Sequence, residues 1–331
     1  MKPHHNNACS GKYHDWLEVM LLPECNGSCS WCIEKGGWHP STRADWRTIV
    51  RSVVESGKQH VMLLGGEPTL YPDIRSIVGG LADVGKSVYL TTNGSMLSGQ
   101  FVVDNLPGLR GINVSIHSPH LGHNRRITGI DLRMEQLREA VAVLHCGGTS
   151  VRLNCNCIRG CVDSWWKCVR YIEKLALPLG ADSVRFAELK VETGDFVNLT
   201  DIFRYKVGVT DDPYSRGCSI DSDICGFPIN LRLMCGLQTP HRPKPQCPEQ
   251  TLHGVLYYDG NIYDSWQRRP EMKKDQAWLK RLLDAVSTGT VTAKYAMTEI
   301  TTRSNELVNA DERSQTTPDE STEESIGGCH Y

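Results

Sequence analysis

Short apolar runs alternate with amphipathic stretches of helical length from residue 17 to residue 190 of the chain. The apolar runs are rich in β-branched residues, as in buried strands, and the stretches between them repeat apolar positions with a helical period. Six runs predict strands: LEVMLL (17–22), HVMLLG (60–65), SVYLTT (87–92), GINVSIH (111–117), TSVRLNCNC (149–157) and DSVRFAEL (182–189). Five stretches predict helices: 43–56, 73–85, 96–105, 132–147 and 163–177.

This alternation predicts parallel βα units. Six units are two short of a complete barrel, and right-handed crossovers curl them into an open arc. The predicted fold class is α/β, a partial (β/α)6 TIM barrel with a small Cys-rich C-terminal module that contains a β-hairpin. Loops at the C-terminal ends of the strands then face one cavity, where we expect the chemistry.

The pattern changes after residue 190, where Gly and Pro become frequent. GVLYYDGNIYDSW (254–266) predicts a hairpin that turns at Asp259-Gly260, and 273–287 predicts a helix. The last segment is polar and acidic, which is typical of disorder. The predicted domains are an N-terminal extension (1–16), a core partial barrel (17–190), a C-terminal module (191–290) and a disordered tail (291–331).

The amino-acid composition limits the kinds of binding partner and the cellular location that we expect. The net charge is −2, with 36 basic and 38 acidic residues, and gives no electrostatic signal for nucleic acid or an anionic membrane. No signal peptide or membrane span is visible in the sequence, so we expect a cytoplasmic protein. Its 14 cysteines are then better explained as reduced thiols, some of which bind metal, than as disulfides.

Three cysteines lie in CNGSCSWC, directly after the first predicted strand. Cys25, Cys29 and Cys32 can hold three irons of a [4Fe–4S] cube and leave the fourth iron open. The alternatives are a zinc site, with His39 or another residue as fourth ligand, and a disulfide pair.

A second motif, GGEPTLYPD, follows the second predicted strand. Gly65 and Gly66 permit close backbone approach to a ligand, and Glu67 lies at the mouth of the strand. The alternative is a tight βα turn without further function.

Together, the two motifs in a sixfold βα array resemble the radical S-adenosylmethionine (SAM) superfamily over about residues 15 to 190. The resemblance implies that the three cysteines bind a [4Fe–4S] cluster, and that the amino and carboxylate groups of SAM chelate its open iron. It also implies SAM contacts, with Trp31 at the adenine and Gly65, Gly66 and Glu67 at the methionyl amino group.

Further SAM contacts are implied at the ends of the later strands. They are Asn93 in LTTNG, Ser115 and His117 on the fourth strand, and Asn154 and Asn156, which we expect to face inward on the fifth. Ordinary capping of strand ends is the alternative. The implied reaction cleaves SAM reductively to a 5′-deoxyadenosyl radical that takes hydrogen from a substrate, with flavodoxin or ferredoxin as the electron donor.

The C-terminal module contains Cys218, Cys225, Cys235 and Cys247 before the predicted hairpin. This arrangement resembles twitch or SPASM modules, which implies a second, auxiliary [4Fe–4S] cluster. A structural zinc ion or free thiols are the alternatives. The chain departs from those modules after the hairpin, where a further cysteine is common and GNIYDSW has none.

Candidate substrate residues lie near the sixth strand and in the module: Arg185, Glu188 and Lys190, with Arg232, Tyr257, Tyr258 and Tyr263. Surface ion pairs and hairpin packing are the alternative roles. Arg and Lys suit a carboxylate or phosphate, and Tyr suits a sugar or base. The short module, and the absence of a leader-binding N-terminal domain, favour a small molecule over a peptide.

We therefore expect a radical SAM enzyme, a lyase or oxidoreductase of natural-product biosynthesis, that acts on a sugar, sugar acid or nucleoside. The reaction would be a radical decarboxylation, dehydrogenation or deoxygenation. One alternative is a peptide maturase that forms crosslinks or epimers. A cyclase of the molybdopterin-precursor type is weakened because the sequence ends in GGCHY rather than Gly-Gly. A zinc or Fe–S binding protein is the alternative without catalysis.

Overall fold

Six parallel strands alternate with helices, as the sequence predicts. The computed structural model describes residues 15–35, 39–189, 194–204, 206, 219–233, 254–263, 282–290, 292–294 and 296–298. The strands are β1 (Trp16–Met20), β2 (His60–Leu64), β3 (Ser87–Thr92), β4 (Gly111–Ser115), β5 (Ser150–Asn156) and β6 (Ser183–Ala187). They pair in chain order, so the partial barrel is confirmed.

Helices connect these strands close to the predicted positions. They are α1 (Trp46–Glu55), α2 (Ile74–Asp83), α3 (Gly99–Asn105), α4 (Leu121–Thr128), α5 (Met134–Cys146), α6 (Trp165–Tyr171) and α7 (Leu199–Phe203). A 3-10 turn covers Pro68–Leu70, and α6 continues through a π-helical segment, Ile172–Ala176, into Leu177–Leu179. The helix α4 is not predicted by the sequence pattern, because LGHNRRIT has few apolar positions.

The two faces of each strand differ in polarity. On β5, Val151, Leu153 and Cys155 are buried in the layer between sheet and helices, whereas Asn154 and Asn156 lie half-buried on the other face. Side chains alternate between the two faces of a strand. The apolar core therefore lies between the sheet and the helices, and the opposite face of β5 is polar.

Strands from the C-terminal part of the chain extend both edges of the arc. They are β7 (Ser219–Ile224), β8 (Phe227–Arg232), β9 (Val255–Leu256) and β10 (Ile262–Tyr263). β8 pairs in parallel with β6, and β9 pairs in parallel with β1. The order in the described sheet is β10-β9-β1-β2-β3-β4-β5-β6-β8-β7, so eight neighbouring strands of the described sheet are parallel.

The predicted hairpin at Asp259-Gly260 is confirmed as β9–β10. It packs on α1 and on the segment before it: Ala44 N donates to Tyr258 O at 2.8 Å, and Ser52 Oγ donates to Gly260 O at 2.7 Å. Gly260 has φ +82°, and a Cβ there would lie 2.9 Å from Thr48 Cγ2. The turn thus needs glycine for its conformation and for this contact.

The chain divides into two compact units, Met1–Met272 and Lys273–Tyr331. In the second unit, a helix covers 282–287, inside the predicted 273–287. Most of the tail predicted to be disordered lies outside the described residues. Within the described part of the chain, no helix is both long and apolar enough to span a membrane.

Gly260→Ala tests the docking of the hairpin, and Gly226→Ala is its matched control. Both glycines have φ near +80°, but a Cβ on Gly226 would meet nothing within 4 Å. Each substitution costs about 1–2 kcal/mol for the left-handed backbone, and we expect Gly260→Ala to cost at least about 1 kcal/mol more through overpacking. Urea unfolding measures the difference. Equal losses would contradict the proposed contact with α1.

Candidate functional site

A loop with three cysteines follows β1 at the C-terminal edge of the sheet. Backbone hydrogen bonds attach its first part to the turn after β2. Gly66 N donates to Leu22 O at 2.8 Å, and Glu67 N donates to Glu24 O at 2.8 Å. These two hydrogen bonds therefore fix where the cysteine loop begins relative to the end of β2.

Glycine is required at positions 65 and 66 because the two segments touch. Gly65 has φ +150°, and a Cβ there would lie 2.6 Å from Leu22 O. A Cβ on Gly66 would overlap the backbone of Glu24. The close approach that the sequence analysis assigned to a ligand is therefore made, in the described structure, by the chain itself. The predicted contact of these glycines with SAM remains a prediction.

Glu67 connects the ends of β2 and β3. Its side chain is almost completely buried. Oε1 accepts hydrogen bonds from Thr69 Oγ1 and Thr92 Oγ1, both at 2.6 Å, and Oε2 accepts one from Asn93 N at 2.6 Å. Hydrogen bonds of this kind stabilise a buried carboxylate, so Glu67 holds the two strand ends in a fixed relation.

Asn93 extends this network to the cysteine loop. Its Nδ2 donates to Asn26 Oδ1 at 2.8 Å and lies 3.9 Å from Cys25 Sγ. Asn26 Nδ2 in turn donates to Ser95 Oγ at 2.9 Å. The end of β3 thus supports one side of the loop.

The C-terminal end of α4 supports the other side. Ser28 N donates to Thr128 O at 2.6 Å. The helix ends at Gly129, which has φ +74° and whose Cβ would lie 2.5 Å from Ser28 Oγ. The helix α4, which the sequence pattern does not predict, therefore supports the cysteine loop at Ser28.

The three thiols lie close enough to influence one another. Burial, and then the neighbouring Cys32 and Cys25, raise the pKa of Cys29 to about 11. Burial also raises the pKa of Cys25, against a hydrogen bond that Gly27 N donates to its Sγ at 3.2 Å. Both thiols are therefore protonated at neutral pH, and a metal group that binds them must displace their protons.

Trp31 and His117 meet above this loop. Their rings form an edge contact with centroids 5.4 Å apart. His117 is buried, and its Nδ1 accepts a hydrogen bond from Asn156 N at 3.1 Å. Burial lowers the pKa of His117 to about 4. The neutral imidazole of His117 thus lies between Trp31, the predicted adenine contact, and Asn156 of β5.

The zinc alternative does not fit the described residues. A single zinc ion needs its donors within about 2.3 Å of one point, and no three His, Cys, Asp or Glu side chains in the described part of the chain are so placed. His39 Nε2 instead lies 3.3 Å from Glu34 O. In a four-iron cluster each thiolate binds a different iron, so the cluster does not require such convergence.

Polar side chains line the inner face of β3 to β6. In strand register, the inner residues are Thr91, Asn113, Ser115, Arg152, Asn154, Asn156 and Arg185. Asn154 Oδ1 is buried and has no hydrogen-bond partner within the described residues. Arg185 Nε donates to Asn230 Oδ1 of β8 at 2.8 Å. The described inner face of β3 to β6 is therefore polar and carries two arginines.

The comparisons with known proteins agree with this geometry. The model of the radical SAM superfamily matches residues 19–162, which contain the three cysteines, GGEP and strands β2 to β5. Residues 19–162 of the chain therefore form a radical SAM domain. Enzymes with this domain use a [4Fe–4S] cluster and SAM.

The curated relatives of this radical SAM chain include GTP 3′,8-cyclases. That of Stenotrophomonas maltophilia is 30% identical over 202 residues, which are 56% of this chain and 57% of that protein. A probable GTP 3′,8-cyclase of Thermococcus kodakarensis is 32% identical over 166 residues, 48% and 53% of the two chains. Molybdenum cofactor biosynthesis protein 1 of Bos taurus is 28% identical over 208 residues, 59% and 32%. The chain thus spans about a third to just over half the length of these relatives.

Among solved structures, the radical SAM chain is similar to Streptococcus suis SuiB bound to S-adenosylmethionine. The TM-score is 0.54 at 17% identity, over 82% of this chain and 65% of SuiB. At this identity the similarity supports the fold alone.

The described residues fit the family's cofactors. Cys25, Cys29 and Cys32 lie on a loop that hydrogen bonds hold in place. Three thiols are the ligand set of a [4Fe–4S] cluster with one open iron. Asn154 Oδ1 on the inner wall has no hydrogen-bond partner among the described residues, and this fits a donor group of a bound molecule, since a buried oxygen left unbonded is costly. The individual SAM contacts remain predictions.

Several predicted substrate residues of the radical SAM chain have other contacts. Glu188 is buried, and its Oε1 accepts a hydrogen bond from Leu199 N at the start of α7 at 3.0 Å. It lies on the face of β6 that carries Phe186, away from the inner wall. This geometry gives Glu188 a capping function and does not favour the predicted catalytic role. Lys190 lies outside the described residues.

The three tyrosines of the β9–β10 hairpin have buried side chains. Tyr257, Tyr258 and Tyr263 are buried with Met20 in a small apolar cluster. Tyr258 OH donates to Pro40 O at 2.9 Å, and Tyr263 OH donates to Asp259 Oδ2 at 2.7 Å. These contacts favour the alternative of hairpin packing. Arg232, on β8, is in register with Ala187 of β6.

One of the four predicted auxiliary ligands, Cys225, lies within the described residues. It is exposed at the turn between β7 and β8. Cys218, Cys235 and Cys247 lie outside the described residues.

Cys225→Ser is expected to leave the iron content of the protein unchanged after anaerobic reconstitution, because Cys225 is exposed and belongs to no group of three metal-binding side chains within the described residues. The matched variant Cys32→Ser should lower it, because it removes a thiolate from the braced loop. Iron and sulfide analysis measures both. If Cys225→Ser alone removed about four irons per chain, Cys225 would be a ligand of the predicted auxiliary cluster.

His117 predicts a dependence of stability on pH. Its folded pKa of about 4 lies below the ordinary value of about 6.5, so the unfolded chain binds more protons between these values. The contribution of His117 to the free energy of unfolding is present above about pH 6.5. It is lost as the pH falls, by about 2 kcal/mol between pH 7 and pH 5. His117→Asn keeps an acceptor for Asn156 N and does not titrate, and should lose about 2 kcal/mol less. Urea unfolding at both pH values gives the comparison, and parallel losses would contradict it.

Proposed function

We propose that this radical SAM chain removes hydrogen from a small anionic molecule, a sugar acid or a nucleotide, bound inside the barrel. The observation that supports the proposal is the polar inner wall. The interior of a TIM barrel is normally filled by layers of Val, Ile and Leu. Here Asn113, Arg152, Asn154 and Arg185 stand in those positions. Of these, Asn154 has a buried Oδ1 without a hydrogen-bond partner among the described residues, which is costly unless a bound molecule supplies one.

Cys25, Cys29 and Cys32 would hold the cluster, and the predicted SAM contacts surround the same mouth. When bound, the cluster and SAM supply an electron and a carbon radical that takes hydrogen from unactivated C–H bonds. Glu67 and Asn93 keep the loop and the ends of β2 and β3 in place. Neutral His117 orients Trp31 and, being buried, keeps that side of the cavity free of water.

GTP is the first substrate to test, because relatives of 30–32% identity are named GTP 3′,8-cyclases. Those matches cover about half of this chain, so a different nucleotide or a sugar acid of natural-product biosynthesis fits the wall as well. Arg185, anchored by Asn230, is suited to a phosphate or carboxylate. An electron donor such as flavodoxin or ferredoxin, and a cytoplasmic location, belong to this proposal.

Cys29→Ala tests the proposal, with Cys146→Ala as its control, since Cys146 is an exposed free cysteine at the end of α5. We expect the reconstituted wild type and Cys146→Ala to make 5′-deoxyadenosine from SAM with dithionite, and Cys29→Ala to make at least about 100-fold less, because removal of a ligand typically costs that much or more. Chromatography quantifies the nucleoside. Undiminished formation by Cys29→Ala would place the cluster on other residues.

The substrate is tested in the same assay. Adding GTP or D-glucuronate to the wild type should raise the rate of 5′-deoxyadenosine formation and give a product of altered mass. A wild type that cleaves SAM but is unaffected by either compound would support the superfamily chemistry and contradict these two substrates.

A further inference from the structure

The β9–β10 hairpin lies outside the radical SAM domain, yet its side chain Tyr258 contacts the segment 39–44 that follows the cysteine loop. Tyr258 is buried, and its hydroxyl donates to Pro40 O at 2.9 Å. Its carbonyl oxygen accepts a hydrogen bond from Ala44 N at 2.8 Å. Segment 39–44 is therefore attached to the hairpin near both of its ends.

Two further side chains of segment 39–44 contact the ring of Tyr258. The guanidinium carbon of Arg43 lies 5.5 Å from the ring centroid, which is within the range of a cation–π contact. The imidazole of His39 stacks on the same ring, with centroids 6.4 Å apart and an angle of 27° between the planes. A ring that two hydrogen bonds hold in place restricts both side chains, so they lose less entropy when they bind elsewhere.

These two side chains reach the cysteine loop on either side of its three thiols. Arg43 Nη2 donates to Oε1 of Glu24, the residue before the first cysteine. His39 Nε2 lies 3.3 Å from the carbonyl oxygen of Glu34, just after the last cysteine. One intermediate side chain thus joins Tyr258 to each end of the loop.

We propose that Tyr258 is a positioning residue for the cluster, which acts through Arg43 and His39 to hold the two ends of the cysteine loop. Ordering a loop costs conformational entropy, and the three thiolates must be presented together to bind one cube. Contacts that exist before the cluster binds reduce this cost. The inference rests on the proposed function, since it assumes that the three thiols bind a cluster.

The competing explanation is that Tyr258 only packs the hairpin. The side chains of Glu24 and Arg43 are 52% and 58% exposed, and an exposed ion pair by itself contributes little to stability. On that explanation, changes at Tyr258 or Arg43 leave the motion of the cysteine loop unaltered. The proposal requires instead that the loop moves more freely when either residue is changed.

The experiment measures amide hydrogen exchange of the full chain without metal, under reducing conditions, by mass spectrometry. The peptide of interest is 25–35, in which Ser28 N and Cys32 N donate hydrogen bonds to backbone carbonyls. Arg43→Gln and Tyr258→Leu should each speed its exchange about fivefold, the factor expected for the loss of one net hydrogen bond or similar contact. Tyr258→Phe keeps the ring and should have a smaller effect.

Two matched controls separate the loop from general effects. Arg47→Gln removes the same charge from a guanidinium that also lies over a ring, that of Trp46 at 4.5 Å. Tyr263→Phe removes a hydroxyl that donates to Asp259 within the hairpin. Both controls should leave the exchange of peptide 25–35 at the wild-type rate.

The route through Arg43 is tested by a double variant. Glu24→Gln with Arg43→Gln should exchange no faster than either single variant, because both remove the same contact. Wild-type exchange of peptide 25–35 in Arg43→Gln and Tyr258→Leu would overturn the inference, as would equal acceleration in the controls. If Tyr258→Leu folds poorly, Tyr258→Phe and Arg43→Gln decide.

A second measurement connects the loop to the cluster. In the reconstituted protein, a chelator should remove iron about fivefold faster from Arg43→Gln than from the wild type. Arg43→Lys keeps the charge and should restore most of the wild-type rate. Unchanged release of iron from Arg43→Gln would overturn the positioning role.

Failure of this inference is distinguishable from failure of the proposed function. Formation of 5′-deoxyadenosine from SAM by the wild type tests the cluster and SAM, whereas hydrogen exchange needs neither. A wild type that cleaves SAM, with variants that exchange and release iron at its own rates, would contradict the inference alone. Faster exchange in the variants of a protein that never cleaves SAM would contradict the proposed function.

Discussion

The site depends on one contact between two backbone segments. Leu22–Glu24, which leads into the cysteine loop, lies against Gly65–Glu67 with no room for a Cβ on either glycine. The hydrogen bonds from Gly66 N and Glu67 N each contribute about 1 kcal/mol, but their larger effect is geometric. They place the three thiols, and the buried carboxylate of Glu67, relative to the ends of β2 and β3. The remaining supports, Asn93 and α4, act on a loop whose starting point is already set.

Much of the fold could be predicted because each strand alternates between a helix-facing and a cavity-facing side. Val151, Leu153 and Cys155 face the helices, so β5 had a strong apolar period. The same period places Asn154 and Arg152 on one face. The β7–β8 hairpin had no such signal, because SIDSDI is polar at an edge of the sheet.

The chemistry of the site was less predictable than its location. Motif spacing identified the cysteine loop and GGEP, since both are local. The buried hydrogen bonds of Glu67, the capping by Glu188 and the support from α4 join residues that are distant in sequence. Charged residues near a strand end look alike in a sequence whether they cap a helix or line a cavity. Glu188 and Arg185 differ in this respect only by the face of β6 on which they lie.

The pairing of β9 with β1 has a consequence for how the chain folds. Glu18 is in register with Val255, so the N-terminal strand keeps one unpaired edge until nearly the whole of the first compact unit has been synthesised. Contacts between such distant positions form late, because closing so long a loop is entropically unfavourable. During synthesis the cysteine loop lies next to that open edge, and the hairpin with Asp259-Gly260 completes the wall beside it. The pairing of β9 with β1 is thus one of the last contacts of the sheet to form.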